Sequence, residues 1–319
     1  METEILDFLK ENNEFFVSGE DICKKLNVSR TAVWKHIQNL RKAGYDIAAQ
    51  PHLGYRLENT PDAMLPDEIK YKLKTNKFGK KIIAYASITS TNDAAYTLAE
   101  QGAAEGTLVV AEQQTKGKGR MGRTWNSPHG EGIYGSLILR PEITPDEAGK
   151  ITLMASVSIA QTIRQLTGLE AEIKWPNDIL IGKDKICGIL TEMSAEPDMV
   201  KFIILGFGIN VNTDKRKLPP HATSISLKLA RDIRRVDFLK ELLQGMESHY
   251  EKIKKKRFGL IIDEWRNLSS TLGKRIKVKW RGAMIEGQAL DVDERGALIV
   301  RDDVGFLHHI LSGDVRTVL

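Results

Sequence analysis

Residues 114–125, QTKGKGRMGRTW, interleave Gly117, Gly119 and Gly122 with Lys116, Lys118, Arg120 and Arg123. Glycines let backbone amides approach an anion closely, and the cations neutralise phosphate or carboxylate charge. The spacing formally fits G-x-G-x-x-G, but that dinucleotide fingerprint needs a helix opening directly after the glycines. Here the chain runs on into RTWNSPHGEG, which is full of helix breakers. The segment therefore reads as a basic loop, mobile when empty and ordered by an anionic ligand.

Three further clusters carry polar groups beside strand-like runs. In IKWPNDILIGKDKICGIL (173–190), Pro176 fixes the backbone before Asn177 and Asp178, and Lys185 stands near Gly188, where a ligand or backbone could come close. Ser90-Thr91-Asn92 precedes a helical run, and one of these residues is expected to serve as its N-cap. Gly206-Phe207-Gly208-Ile209-Asn210 closes an apolar strand with two glycines and a carboxamide. A surface loop, an exposed lysine and a plain cap are the ordinary readings of these features taken singly.

The elements that must position them fall into three regions. Residues 1–60 read as a winged helix-turn-helix. Ser18 and Ser29 are candidate caps of the second and third helices, and Gly44 ends the third. In the third helix Ala32, Val33, Ile37 and Leu40 share one face, while Arg30, Thr31, Trp34, Lys35 and Gln38 fall largely on the other. Between Ile22 and Tyr45 every charged residue is Lys or Arg, and YDIAAQPHLGYRL follows as a hairpin wing around Pro51 to Gly54. Cations for phosphates and polar side chains for base edges suit DNA, with Ser29, Arg30, Thr31, Trp34, Lys35 and Gln38 as candidate contacts. Residues 61–66 read as a linker. A larger body over 67–268 mixes strands with helices over 92–101, 148–167, 236–255 and 258–267, an α+β arrangement with helices against a mixed sheet. Five short strand candidates over 269–319 suggest a small SH3-like β-barrel.

Composition sets the outer bounds. Of 319 residues, 41% are hydrophobic and 28% charged, as in soluble globular proteins. No apolar run approaches the ~20 residues of a membrane span, and METEILDFLKENNEFF lacks the pattern of a signal peptide. Two distant cysteines, Cys23 and Cys187, fit a reducing cytoplasm rather than a disulfide framework, and no spacing suggests a metal site. The net charge of +5 points weakly to nucleic acid or phosphate partners.

Taken in order, STN (90–92), GKGRMGRTW (117–125), KWPND (174–178), K-x-x-G-I-L-x-E (185–192) and GFGIN (206–210) resemble the biotin–protein ligases. The winged helix-turn-helix resembles the bifunctional subclass, which both ligates biotin and represses biotin genes. The resemblance implies that biotin and ATP, with Mg²⁺, form biotinyl-5′-AMP, and that the biotinyl group passes to a lysine of a biotin carboxyl carrier domain. It implies biotin contacts from Ser90, Thr91, Asn92, Gln114, Lys118, Gly119, Arg120 and Lys185, with Trp125 and Ile189 in the apolar wall. Gly117, Lys118, Arg120, Arg123, Asn177 and Asn210 are implied on the ATP and adenylate side. Lys185 and Arg120 are the implied catalytic cations. Adenylate-bound members form homodimers on operator DNA, through a surface that overlaps carrier docking. The sequence departs from relatives at Lys118, where arginine is common, at Met121, and in LPPHATSISL (218–227), which has no tryptophan to stack on adenine. A ligase without DNA recognition, a lipoate-type ligase and a non-catalytic biotin sensor remain as alternatives.

Overall fold

A computed structural model describes residues 1–318. The chain divides into two compact units, meeting between Ala63 and Met64. The first contains α1 (Glu2–Glu11), α2 (Gly19–Leu26), α3 (Arg30–Lys42), β1 (Asp46–Gln50) and β2 (Gly54–Asn59). Ser18 accepts a bond from the Asp21 amide at 3.0 Å, and Ser29 one from the Ala32 amide at 3.2 Å. Both caps satisfy amides that a helix leaves unpaired at its start. Ile5, Leu6 and Leu9 of α1 are buried with Ile22 of α2 and with Val33, Ile37 and Leu40 of α3. Ala32, expected on that inward face, is half-buried. β1 and β2 form the antiparallel wing.

The second unit opens with α4 (Pro66–Lys70), β3 (Ile82–Tyr85), α5 (Thr91–Glu100), β4 (Leu108–Ala111) and β5 (Gly132–Leu139). It continues with α6 (Gly149–Thr167), β6 (Ala171–Lys174), β7 (Asp178–Ile181), β8 (Asp184–Ala195) and β9 (Val200–Asn210). Then come α7 (Ile225–Leu229), α8 (Arg235–Lys254), α9 (Phe258–Leu268), β10 (Arg275–Trp280), β11 (Ala283–Val292), β12 (Leu298–Arg301), β13 (Leu307–Ile310) and β14 (Val315–Thr317). β3 to β9 make a seven-stranded sheet in the order β3-β4-β5-β9-β8-β7-β6, parallel only between β3 and β4. Strand side chains alternate between faces. On β9, Ile203, Leu205, Phe207 and Ile209 enter the main core with α6, α8 and α9, whereas Phe202 and Ile204 pack with Ala95 and Ala99 of α5. Further along that α5 face the pattern reaches Gly206 and Gly208, so the sheet there is bare.

β10 to β14 form an antiparallel sheet in the order β13-β12-β11-β10-β14. The expected barrel closure is absent among the described residues: β13 and β14 are the two edges, and β14, three residues long, pairs only with β10. This sheet does not separate from the second unit. Ile276, Val278, Leu298 and Val300 belong to the same buried cluster as Trp175 and Trp265. No helix among the described residues is long and apolar enough to cross a membrane.

Candidate functional site

The bare glycine face is the floor of a cavity of about 730 Å³ including its open mouth. Gly188 of β8 lies opposite Gly208 of β9, and Leu190 opposite Gly206. The space above Gly208 is filled by the Trp125 side chain: a Cβ on Gly208 would fall 2.4 Å from Trp125 Nε1. Gly188 is glycine for the same reason, its missing Cβ lying 3.0 Å from the indole and 3.2 Å from Lys185 Nζ. The close approach expected at Gly188 is thus that of a tryptophan.

The roof is the basic loop, folded as a tight hairpin. The Trp125 amide donates to Gly117 O at 2.8 Å and the Gly119 amide to Arg123 O at 2.7 Å. Only one 3₁₀ turn, Arg120–Gly122, interrupts it, with Met121 and Gly122 at φ of 56° and 72°. No α-helix follows the glycines, which excludes the dinucleotide fingerprint on structural grounds as well. Arg120 reaches back into the cavity and donates to Asn177 Oδ1 at 3.0 Å and to Gly313 O at 3.4 Å. Burial lowers its pKa, yet a guanidinium stays charged. Lys118 pairs with Asp93 of α5, and that bond raises its pKa. Arg123, on the exposed side, pairs with Asp314.

Lys185 enters from β8. Its Nζ lies 2.6 Å from Asp178 Oδ1 and 5.3 Å from the Trp125 ring centroid, within cation–π range. Asn177 is held by its own amide, which donates to Ile189 O at 2.7 Å. At the far end, Ser90 caps α5, and Thr91 and Gln114 bond each other through the Thr91 amide at 2.8 Å. Asn92 donates to Glu192 Oε2 at 2.7 Å.

The cavity therefore gathers Ser90, Thr91, Asn92, Gln114, Lys118, Gly119, Arg120, Arg123, Asn177 and Lys185, with Trp125 and Ile189 on its walls. Gly117 supports the hairpin from behind and does not line this cavity. Asn210 is not among its lining residues either: it is 4% exposed and donates to Thr223 O at 3.0 Å. Sequence reasoning missed Asp178 as the lysine's partner, although it stood in the motif, and Asp314, which had no local signal. It also missed Ser136, whose one mark was a small polar residue in the otherwise apolar second half of β5. Among the described residues no group of three or more His, Cys, Asp or Glu could hold a metal ion. In the first unit, Arg30, Thr31, Trp34 and Lys35 are exposed along α3, and Gln38 is half-buried.

Comparison with known proteins agrees with this geometry region by region. Residues 84–210 match the biotin/lipoate A/B protein ligase family, 2–56 an HTH domain and 271–316 the biotin protein ligase C terminal domain. The chain is 38% identical to the bifunctional ligase/repressor BirA of Bacillus subtilis, over 98% of this chain and 97% of that one. It is 29% identical to BirA of Escherichia coli, over 96% and 94% respectively. A solved biotin protein ligase from Aquifex aeolicus, in complex with biotin and ATP, superposes with a TM-score of 0.64 at 28% identity, covering 75% of this chain and 99% of that one. Since the 38% identity extends through all three matched regions, the chain belongs to the biotin–protein ligase family, with the bifunctional ligase/repressors.

Proposed function

We propose that the cavity activates biotin with ATP to biotinyl-5′-AMP, releasing pyrophosphate, and then delivers the biotinyl group to a lysine of a biotin carboxyl carrier domain. One observation carries this reading: two cations from different elements, Lys185 on the sheet and Arg120 on the hairpin, line a single glycine-floored cavity. The chemistry joins two anions. The biotin carboxylate oxygen attacks the α-phosphorus, and the bond to the pyrophosphate oxygen breaks. Preorganised cations lower the cost of the spread negative charge. Lys185 is fixed by Asp178 at the carboxylate and α-phosphate, and Arg120, fixed by Asn177, holds the adenylate. The hairpin 114–125 excludes water from the mixed anhydride.

Mg²⁺ arrives with ATP as part of the substrate. It needs only one or two protein carboxylates beside phosphate oxygens and water, and the Asp178 carboxylate at the cavity fits that requirement. The adenine side is assigned to Asn177. Asn210 is assigned to the phosphate side and, its amide turned toward Thr223 O, acts there through the backbone it holds.

The first unit is assigned to operator DNA, with Arg30, Thr31, Trp34, Lys35 and Gln38 facing outward from the capped start of α3 at Ser29. Adenylate binding orders the hairpin and favours a homodimer whose surface overlaps carrier docking, so low carrier demand favours repression. With two free cysteines, a cytoplasmic location suits the protein. The test is Lys185→Ala and Arg120→Ala assayed with biotin, ATP and a carrier domain. Both weaken carrier labelling at least about tenfold, the loss of one charged hydrogen bond or more, and Arg120→Ala leaks adenylate onto other lysines. Wild-type rate and selectivity in both variants would refute the assignment.

A further inference from the structure

Behind the cavity, a chain of buried polar groups fixes which way each hydrogen bond runs. Asn92 Nδ2 faces two groups that can only accept, Glu192 Oε2 at 2.7 Å and Leu190 O at 3.3 Å. The amide is thereby oriented, and its Oδ1 must accept. Ser136 Oγ lies 2.6 Å from that Oδ1, so the single Ser136 hydroxyl proton is spent there. Thr91 Oγ1 lies 2.8 Å from Ser136 Oγ, and only Thr91 is left to donate across that contact. Ser136 is fully buried. The competing contact, Thr91 Oγ1 to Gln114 Oε1 at 3.1 Å, is longer, and donation there too would spend the Thr91 proton within the protein rather than toward the cavity. Gln114 cannot flip, because the Thr91 amide can only donate and so requires Oε1 at 2.8 Å, which leaves Nε2 beside Ser127 Oγ at 3.0 Å.

Thr91 therefore turns only lone pairs to the cavity. Its neighbour Ser90 accepts from the Asp93 amide as the α5 cap, which leaves the Ser90 proton available to the cavity. A fixed acceptor beside an available donor complements an N–H next to a C=O, one edge of a cyclic urea. We infer that Ser136 and Glu192, neither of which lines the cavity, are positioning residues: they polarise this chain so that the pocket accepts a ureido N–H and rejects a hydrogen-bond acceptor at the same place. The inference rests on the biotin reading of the cavity given above.

The test compares the Kd of biotin with that of its cyclic carbamate analogue, in which a ring oxygen replaces one ureido N–H, both analogue regioisomers being measured. In wild type the carbamate that places oxygen at Thr91 binds far more weakly than biotin, because sites built to pair an N–H strongly reject a ligand lacking it. In Ser136→Ala the Thr91 proton loses its shorter partner and keeps only the longer contact to Gln114 Oε1, so it is held less firmly away from the cavity. Biotin then weakens about tenfold, and the ratio between carbamate and biotin falls at least as much, while KM for ATP stays within about twofold. Equal weakening of both ligands is the signature of lost packing and would overturn the inference. Should Ser136→Ala not fold, Glu192→Gln decides: its side chain is about one-third exposed, and the substitution removes the charge that anchors the chain. A ratio lowered about threefold or more supports the inference, and an unchanged ratio overturns it. Wild-type protein that binds neither ligand removes the biotin reading itself, and the inference falls with it.

Discussion

Gly208→Ala tests whether the site is built around the seat of Trp125. The added Cβ would lie 2.4 Å from Nε1, 2.5 Å from Cε2 and 2.9 Å from Cδ1 of the indole. Non-bonded atoms need about 3.5 Å, so the ring must retreat by about 1 Å. It cannot retreat alone. The Trp125 amide is bonded to Gly117 O, and Gly117 is itself so close that its own Cβ would meet Trp125 O at 2.5 Å. The displacement therefore passes into the hairpin that carries Arg120, and into the cation–π contact with Lys185. Overpacking of this kind costs about 1–3 kcal/mol of stability, and a misplacement of about 1 Å at a reacting centre costs on the order of 100-fold in kcat/KM. Urea denaturation measures the first, and biotin-dependent pyrophosphate release the second. The decisive measurement is a double-mutant cycle: in a Trp125→Ala background, where no indole stands over position 208, the same Gly208→Ala change should be nearly silent in activity. Wild-type turnover in Gly208→Ala, or strictly additive losses in the cycle, would show that the indole does not rest on that glycine.

Two further expectations concern regions away from the cavity. Glu105 is largely buried, which by itself raises its pKa, but bonds from the Tyr250 hydroxyl, Lys77 and the Arg140 amide, with Lys254 nearby, outweigh burial and hold its carboxyl below the usual range. A folded pKa below the unfolded value contributes stability above the unfolded pKa of about 4.3 and loses it as pH falls through the folded value. Glu105→Gln is therefore less stable than wild type at pH 7, and the gap narrows in acid below about pH 4; a gap independent of pH would refute this. Lys35, exposed on α3, is assigned to a DNA phosphate, so Lys35→Ala should weaken binding to the operator and to unrelated duplexes alike and reduce the slope of log K against log salt by about 1. An unchanged slope removes Lys35 from the interface.

What could be read from the sequence, and what could not, follows from how far each constraint reaches along the chain. The helices of the first unit were legible because caps and apolar spacing act over a few residues: Ser18 and Ser29 cap where expected, and Val33, Ile37 and Leu40 are buried. Most of the cavity was legible for a different reason. Its residues come from short runs in which a glycine must stand beside a cation or an amide, and the order of those runs in the resemblance tied them together. The partnerships that orient the side chains around the cavity were not legible. Asp314 meets Arg123 from the opposite end of the chain, and Ser136 meets Asn92 across the gap between a strand and a helix start. Asn210 shows the converse, because its motif marked it while its amide turns to Thr223. The five strands were legible as runs, but whether they close was not: closure requires pairing between the sheet's two edges, which no local pattern encodes and which is not seen among the described residues. Residue types announce which chemistry is present; the proton order behind Thr91 exists only once four elements, α5, β5, β8 and the basic hairpin, have been brought together.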